Sequence, residues 1–163
     1  MEKLSIYIET SIVSYLAAKP SRDLFAAACQ QITVEWWEDR RNDYDLFTSE
    51  LVVAEARAGD PDISAKRLVF LRGVSELKIT GAVSQLATAL VSQGALPGKA
   101  QADALHIAIA AVHEMDYLLT WNCRHIDNPA MKPLVRKVCS AKGYSCPEIC
   151  TPIEIMEVTE NEE

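Results

Sequence analysis

Four polar residues that could bind a metal ion lie in or beside apolar segments of the chain: Glu9, Glu55, Asp103 and Asn122. Carboxylates that are brought close together repel one another and lose hydration, so a bound cation normally offsets the cost of such a cluster. The residue types therefore predict a divalent-metal site, provided that the fold brings them together. The alternative is that they are four unrelated surface residues.

Short apolar segments alternate along the chain with segments of helical periodicity, and no repeat or linker divides them. Because strands that alternate with helices favour a parallel sheet covered on both faces, we predict an α/β fold. A long amphipathic helix is predicted from about residue 22 to residue 40, with Ser21 as its N-cap and with apolar residues that recur at helical spacing: Leu24, Phe25, Ala28, Cys29, Ile32 and Trp36. The other predicted helices span residues 11–18, 50–58, 63–72, 83–92 and 102–114, and a last helix begins between residues 129 and 133 and ends near residue 142. The predicted strands span residues 4–8, 45–48, 76–80, 117–120 and 153–156.

In this predicted fold the four polar residues could lie close together. In open parallel sheets, ligands bind beyond the carboxyl ends of the strands. Glu9 and Asn122 stand at the carboxyl ends of predicted strands, and Glu55 and Asp103 lie on helices that could line the same crevice.

Several residues have a structural interpretation beside the functional one. Asp103 lies in the first turn of a nearly all-apolar helix, where a carboxylate also interacts favourably with the exposed amides of the helix terminus. We interpret His106, one turn later, as a hydrogen-bonded structural residue in preference to a metal ligand. Trp36 is expected to anchor the buried face of its helix. Trp37 is expected to be a core contact, with a dimer contact or a stacking surface for a base as alternatives.

Length and charge limit the classes of protein that the sequence can encode. At 163 residues the chain is long enough for one domain with a substantial core. The net charge is −7, but the segment from residue 148 onward carries six acidic residues and no basic one, so the remainder is near neutral. A nucleic-acid partner is therefore compatible with the composition. We predict a domain over residues 1–156 and an acidic tail over residues 157–163.

Cysteine usage and the N-terminal segment bear on the compartment. Five cysteines, an odd number, favour reduced thiols, and the close pair Cys146 and Cys150 has no second pair with which to form a zinc site. The first apolar segment is too short for a signal peptide, and the chain has no apolar stretch of the length that a membrane span requires. We expect a cytoplasmic protein with no membrane partner.

Four segments carry a resemblance to a known family. IYIETSIVSYL, SELVVAEA, ADALHIAIAA and DYLLTWNCRHI are similar, in order and spacing, to the four motifs of the PIN-domain family, and especially to those of VapC-like toxins of toxin-antitoxin pairs. The resemblance covers roughly residues 4 to 156. It implies a three-layer α/β/α sandwich with a central parallel sheet, and an endoribonuclease that depends on Mg²⁺ or Mn²⁺. It also implies a homodimer and a cognate antitoxin partner.

The resemblance carries over to individual residues. Glu55 and Asp103 match the second and third acidic positions of the family, whereas Glu9 replaces the aspartate of the first position and Asn122 replaces the fourth acid. Because the site has one formal charge fewer and a longer first side chain, we expect weaker Mg²⁺ binding than in an all-acid site and better activity with Mn²⁺.

The leading functional hypothesis is therefore hydrolysis of an RNA phosphodiester by a metal ion held by Glu9, Glu55 and Asp103. Asn122 would position water or the scissile phosphate. We predict that Thr10 and Ser11 bind the scissile phosphate and that Lys99 and Arg124 bind neighbouring phosphates. The alternative for the two basic residues is that they are ordinary surface charges.

Two other functions are open at this stage. A catalytically weak or inactive PIN-like module would bind RNA or a protein partner, as the departures at Glu9 and Asn122 allow. A phosphoacceptor receiver domain is less favoured because the chain lacks adjacent acids after the first strand and a lysine after a late strand.

Overall fold

The computed structural model describes residues 2–160, with side chains described for residues 2–156. Within these residues no helix is both long and apolar enough to cross a membrane. The strands are β1 (Ser5–Ile8), β2 (Asp45–Ser49), β3 (Ser75–Leu77), β4 (Tyr117–Leu119) and β5 (Glu148–Cys150). The helices are α1 (Thr10–Ala17), α2 (Leu24–Asp39), α3 (Glu50–Ala56), α4 (Pro61–Leu71), α5 (Gly81–Ser92), α6 (Gln101–Val112), α7 (Lys132–Ala141) and α8 (Pro152–Glu160), with a 3₁₀ turn at Arg41–Asp43.

The five strands form one parallel sheet in the order β3-β2-β1-β4-β5. Helices α1 to α4 pack against one another, with α8 on α2, whereas α5 packs against α6 and α7. The predicted three-layer α/β/α sandwich with a central parallel sheet is confirmed. The strand order reverses on either side of β1, so the carboxyl ends of β1 and its two neighbours form the crevice in which such sheets bind ligands.

The centre of the sheet and helix α6 form the most completely buried part of the core. Ile6, Tyr7 and Ile8 of β1 are completely buried, as expected for a central strand covered on both faces. Helix α6 is buried on nearly every side, and its alanines allow close approach to its neighbours, including α5. The polar side chains of α6 are therefore held in fixed positions by the packing around them.

The C-terminal part of the chain differs from the prediction. The last strand is Glu148–Cys150, paired in parallel with β4, and not residues 153–156, which lie in α8. Thr151 and Glu154 explain the difference because they form a capping box. The Glu154 carboxylate accepts from the Thr151 N–H at 2.9 Å, and the Thr151 hydroxyl accepts from the Glu154 N–H at 3.4 Å. The backbone of α8 includes residues 157–160 of the predicted acidic tail, and residues 161–163 lie outside the described part.

Helix α2 also begins differently from the prediction. Asp23, not Ser21, is the N-cap, and its carboxylate accepts from the Ala26 N–H at 2.8 Å. Leu24 and Phe25, which the helical spacing placed on the buried face, are 88% and 76% exposed. The buried stripe begins one turn later, at Cys29, and continues through Thr33, Trp36 and Trp37. Trp37 is a core contact, as expected, and packs edge-on against Phe70 with 5.7 Å between the ring centroids.

The two candidate caps of α2 offer a direct stability test. We expect Asp23→Ala to lower the free energy of unfolding by about 1 kcal/mol, because a helix N–H loses its side-chain acceptor. Ser21→Ala is the matched control, and its effect should be less than half as large. Chemical denaturation of both variants measures the difference, and a larger effect at Ser21 would contradict the assignment of the cap.

Candidate active site

Polar residues cluster where the three central strands end. Glu9 directly follows β1, and its N–H donates to the carbonyl of Leu119, the last residue of β4, at 3.1 Å. Thr120 follows β4. Ser49 ends β2 and is the N-cap of α3. The sheet topology thus brings these polar groups to one edge.

Glu9 is 6% exposed and is held by a set of donors at this edge. Its Oε2 accepts from the Ser11 N–H at 2.9 Å, from the Thr120 hydroxyl at 2.9 Å and from the Ser11 hydroxyl. The first of these contacts makes Glu9 the N-cap of α1. All three bonds use the same oxygen, so Oε1 of Glu9 has no hydrogen-bond donor among the described residues.

Glu55, on α3, uses one oxygen in the same way. Its Oε1 accepts from the Thr10 hydroxyl at 2.6 Å and lies 2.6 Å from Nε2 of His106. Burial alone would raise the pKa of the Glu55 carboxyl, but the hydrogen bonds and charge of His106 and the hydrogen bond of Thr10 outweigh it and hold this pKa below its usual range. Glu55 is therefore ionised at neutral pH, with Oε2 open.

His106 is the middle of a buried chain of hydrogen bonds that supports Glu55. Nδ1 of His106 lies 2.7 Å from the Tyr7 hydroxyl, which lies 2.8 Å from the Ser49 hydroxyl. Because ionised Glu55 can only accept, Nε2 of His106 donates to it. The Ser49 hydroxyl accepts from the Val52 N–H at 3.1 Å. Burial raises the pKa of Tyr7 further above its usual value, so its hydroxyl stays neutral.

Asp103 is held by two residues that follow β4. Its Oδ1 accepts from the Asn122 amide nitrogen at 3.0 Å, and its Oδ2 lies 3.0 Å from Nδ1 of His125. The Asn122 carbonyl oxygen accepts from the His125 backbone N–H at 3.0 Å. Since a backbone N–H can only donate, this contact fixes the orientation of the amide: its NH₂ group faces Asp103. The Asn122 oxygen faces the His125 backbone N–H in this arrangement, and its predicted role in positioning water or the scissile phosphate stays a prediction.

The structure joins all four predicted site residues into one region. Thr120 links Glu9 to Asn122, because its hydroxyl donates to Glu9 and accepts from the Asn122 N–H at 2.9 Å. Asn122 in turn donates to Asp103. Thr10, which directly follows Glu9 in the chain, donates to Glu55. In the described residues, however, no three side chains among His, Cys, Asp and Glu are grouped closely enough to hold one metal ion.

The predicted substrate-binding residues have separate positions. The hydroxyls of Thr10 and Ser11 donate to the carboxylates, so in this structure both residues orient acidic side chains. Lys99 and Arg124 are exposed, on the segment before α6 and the segment after β4 respectively. Neither forms an ion pair with a described residue.

Three residues of this hydrogen-bond network were not identified from sequence: Thr120 and His125, which contact acidic residues, and Tyr7, which contacts His106. The interpretation of His106 as a hydrogen-bonded residue agrees with its two contacts. His125 carries a local signal, since it lies three residues after Asn122 and an asparagine side chain commonly accepts from a nearby backbone N–H. Tyr7 carries none, because an aromatic residue in a buried strand is ordinary and its partner is 99 residues away.

Comparison with known proteins gives a result only at the level of structure. No family model matches the sequence, and no curated protein does. The crystal structure of Mycobacterium tuberculosis VapC20, described as a sarcin-ricin loop cleaving toxin, matches with a TM-score of 0.56 and 16% identity over 85% of this chain and 95% of that chain. VapBC2 from Rickettsia felis, solved bound to a DNA fragment from its promoter, matches with a TM-score of 0.51 and 14% identity over 91% of this chain and 98% of that one.

The chain has the PIN-domain fold of VapC-like toxins. Both matches extend over most of this chain and nearly the full length of the solved chains. In this chain the acidic cluster lies at the carboxyl edge of the sheet, on the four segments that carry the sequence motifs.

Removing His106 tests the support of Glu55. In His106→Ala we expect the pKa of Glu55 to rise. Burial raises this pKa, and the variant lacks the hydrogen bond and charge of His106 that offset the effect of burial. A lowered pKa stabilises the fold above the unfolded-state pKa, and this contribution is lost as the pH falls through the folded-state value. The stability difference between wild type and variant should therefore shrink as the solution is acidified through that range.

Carbon-detected NMR of the glutamate carboxyl groups measures this pKa, and chemical denaturation over pH measures the stability. His113→Ala is the control, because His113 is the C-cap of α6 and contacts the Lys78 carbonyl. An unchanged Glu55 pKa in His106→Ala would contradict the assigned role.

Proposed function

We propose that this chain is an endoribonuclease that hydrolyses RNA phosphodiester bonds and that it is the toxin of a toxin-antitoxin pair. The observation that carries the proposal is the hydrogen-bonded set of Glu9, Glu55 and Asp103 at the carboxyl edge of a VapC-like fold. The solved structures of similar fold support the same interpretation, since one is described as a sarcin-ricin loop cleaving toxin and the other as VapBC2 bound to a DNA fragment from its promoter.

The donor chemistry of the site fits a hard divalent cation. Mg²⁺ and Mn²⁺ prefer oxygen ligands, and Mg²⁺ is commonly bound through one or two carboxylates while it keeps several waters. Glu9 and Glu55 would hold such an ion through their open oxygens, and Asp103 would add negative charge. A bound ion supplies an activated water and neutralises charge on the reacting phosphate.

The residues around the carboxylates have distinct tasks in this proposal. Thr10 and Ser11 orient Glu55 and Glu9, and the Asn122 amide orients Asp103. Arg124 and Lys99 are exposed cations on segments adjoining the site, and we propose that they contact phosphates of the RNA on either side of the scissile bond.

The proposal includes a protein partner. A free ribonuclease toxin requires a second protein to restrain it, and one structure of similar fold is VapBC2 bound to a DNA fragment from its promoter. We propose a cognate antitoxin and a homodimer for this chain as well, with Mg²⁺ or Mn²⁺ as cofactor.

A second candidate is a PIN-like module with little or no catalysis that binds RNA or a protein partner. Two observations favour it: the Asn122 amide turns its NH₂ group and not its oxygen toward Asp103, and the described residues contain no preformed three-ligand metal group. This candidate predicts RNA binding without cleavage.

Substitution of Asp103 separates the two candidates. If the chain is a nuclease, Asp103→Asn should reduce Mn²⁺-dependent cleavage of a structured RNA by about 100-fold or more, because the site loses one of the negative charges that hold the cation, and the cation supplies the activated water and neutralises the phosphate. Glu38→Gln, an exposed carboxylate on α2, is the matched control and should cleave at the wild-type rate.

Single-turnover assays with purified wild type and variants provide the measurement. Cleavage that survives Asp103→Asn unchanged would overturn the site assignment. Wild-type protein that binds RNA but leaves it intact with either metal would establish the second candidate.

A further inference from the structure

A second site lies at the opposite edge of the sheet from the acidic cluster. A cavity of about 610 Å³ opens there, bounded by the C-terminal end of α2 with its 3₁₀ turn and by the C-terminal end of α4. Lys3 precedes β1, Asp45 begins β2 and Val74 precedes β3, so the cavity is at the amino ends of these strands. Its volume is in the range of small-molecule sites, roughly 300 to 1,000 Å³.

Positive charge dominates the lining of this cavity. Lys3, Arg41 and Arg72 line it, and Asp45 is the one acidic residue among the lining residues. None of the three cations forms an ion pair with a described residue, although the adjacent Arg40 pairs with Asp43 at 3.8 Å. Three unneutralised cations around one cavity are notable in a chain with a net charge of −7. Such a group attracts an anion, and the planar fork of an arginine side chain matches the geometry of phosphate as well as that of carboxylate.

The remaining wall is aromatic and apolar. Trp37, Tyr44 and Phe70 line the cavity together with Leu46 and Val69. The Arg41 guanidinium lies 5.1 Å from the centroid of the Trp37 ring, which holds the side chain in place without neutralising its charge. Val69 is 51% exposed, so part of the apolar wall is accessible from solvent. Cations beside an accessible apolar wall match a ligand with a phosphate at one end and a flat ring at the other.

We propose that this cavity binds a nucleoside phosphate, with the phosphate on Arg41, Arg72 and Lys3 and the base against the apolar wall. The ligand can be a free nucleotide or one nucleotide of an RNA strand, since both present the same phosphate and base. The site is independent of the acidic edge, and binding there requires no metal. Failure of this proposal would therefore leave the nuclease proposal unaffected, and failure of the nuclease proposal would leave this one unaffected.

Calorimetric titration of the full chain with ADP, in the presence of EDTA, tests the site. We expect saturable binding to the wild-type protein, and a dissociation constant that rises about tenfold or more in Arg72→Gln, because a charge-assisted contact to phosphate is lost. Arg41→Gln should have a similar effect. Lys137→Gln removes one exposed positive charge on α7 and is the matched control, which should bind like wild type.

Three further ligands identify the source of the phosphate. Adenosine should bind far more weakly than ADP, and inorganic phosphate should compete with ADP. A short single-stranded RNA that binds with the same arginine dependence, where ADP does not, would assign the site to a strand and not to a free nucleotide.

Thermal unfolding of each variant confirms that it is folded, and Arg72 provides the cleaner test because its side chain does not stack on Trp37. Failure of ADP, phosphate and RNA to bind the wild-type protein at millimolar concentration would overturn the proposal. Binding that is unchanged in both arginine variants, or that is lost instead in Asp103→Asn, would overturn it as well.

Discussion

The contact between His106 and Glu55 is the interaction on which the arrangement of the acidic edge depends. It joins α6 to α3, and the chain of hydroxyls behind it reaches β1 through Tyr7 and the end of β2 through Ser49. A buried imidazole that lost one of these partners would leave a polar atom unsatisfied, at a cost of about 1 to 3 kcal/mol. The four elements are therefore fixed relative to one another by polar groups as well as by packing.

The segment Glu9-Thr10-Ser11 connects this buried chain to the rest of the site. Thr10 donates to Glu55, whereas Ser11 donates to Glu9 and accepts from the Trp121 N–H at 2.8 Å. Adjacent residues at the start of α1 thus hold carboxylates from two different elements. Glu9 and Glu55 each use one carboxylate oxygen in these contacts, so the other oxygen remains open. The same contacts restrict the rotation of both side chains. Fixed carboxylates with an open oxygen are suited to a cation that keeps part of its hydration shell.

Much of the fold could be predicted because its signals are local. Central strands such as β1 are short, apolar and followed at once by a polar residue, and the alternation of strands and helices determines a parallel sheet. The rule that ligands bind beyond the carboxyl ends of strands placed Glu9 and Asn122 correctly at that edge. The predicted strand at residues 153–156 failed because the capping box of Thr151 and Glu154 begins a helix there, in competition with the apolar pattern.

The details of the site depend on long-range contacts that carry no local signal. Tyr7 and His106 are neighbours only after the sheet and α6 have assembled, and the direction of the Asn122 amide is set by a backbone N–H of the loop. Asn122 therefore donates to Asp103 here, a role that the residue type alone does not specify. The exposure of Leu24 and Phe25 is a comparable case, because helical spacing gives the buried stripe but not the residue at which it begins.

A crystal structure of the protein grown with Mn²⁺ tests most directly whether the acidic edge is one metal site. We expect anomalous density for an ion in contact with both Glu9 and Glu55, with Asp103 beside it and the Asn122 amide still donating to Asp103. An ion bound elsewhere, or Glu9 and Glu55 too far apart to share one ion in crystals saturated with Mn²⁺, would contradict the account.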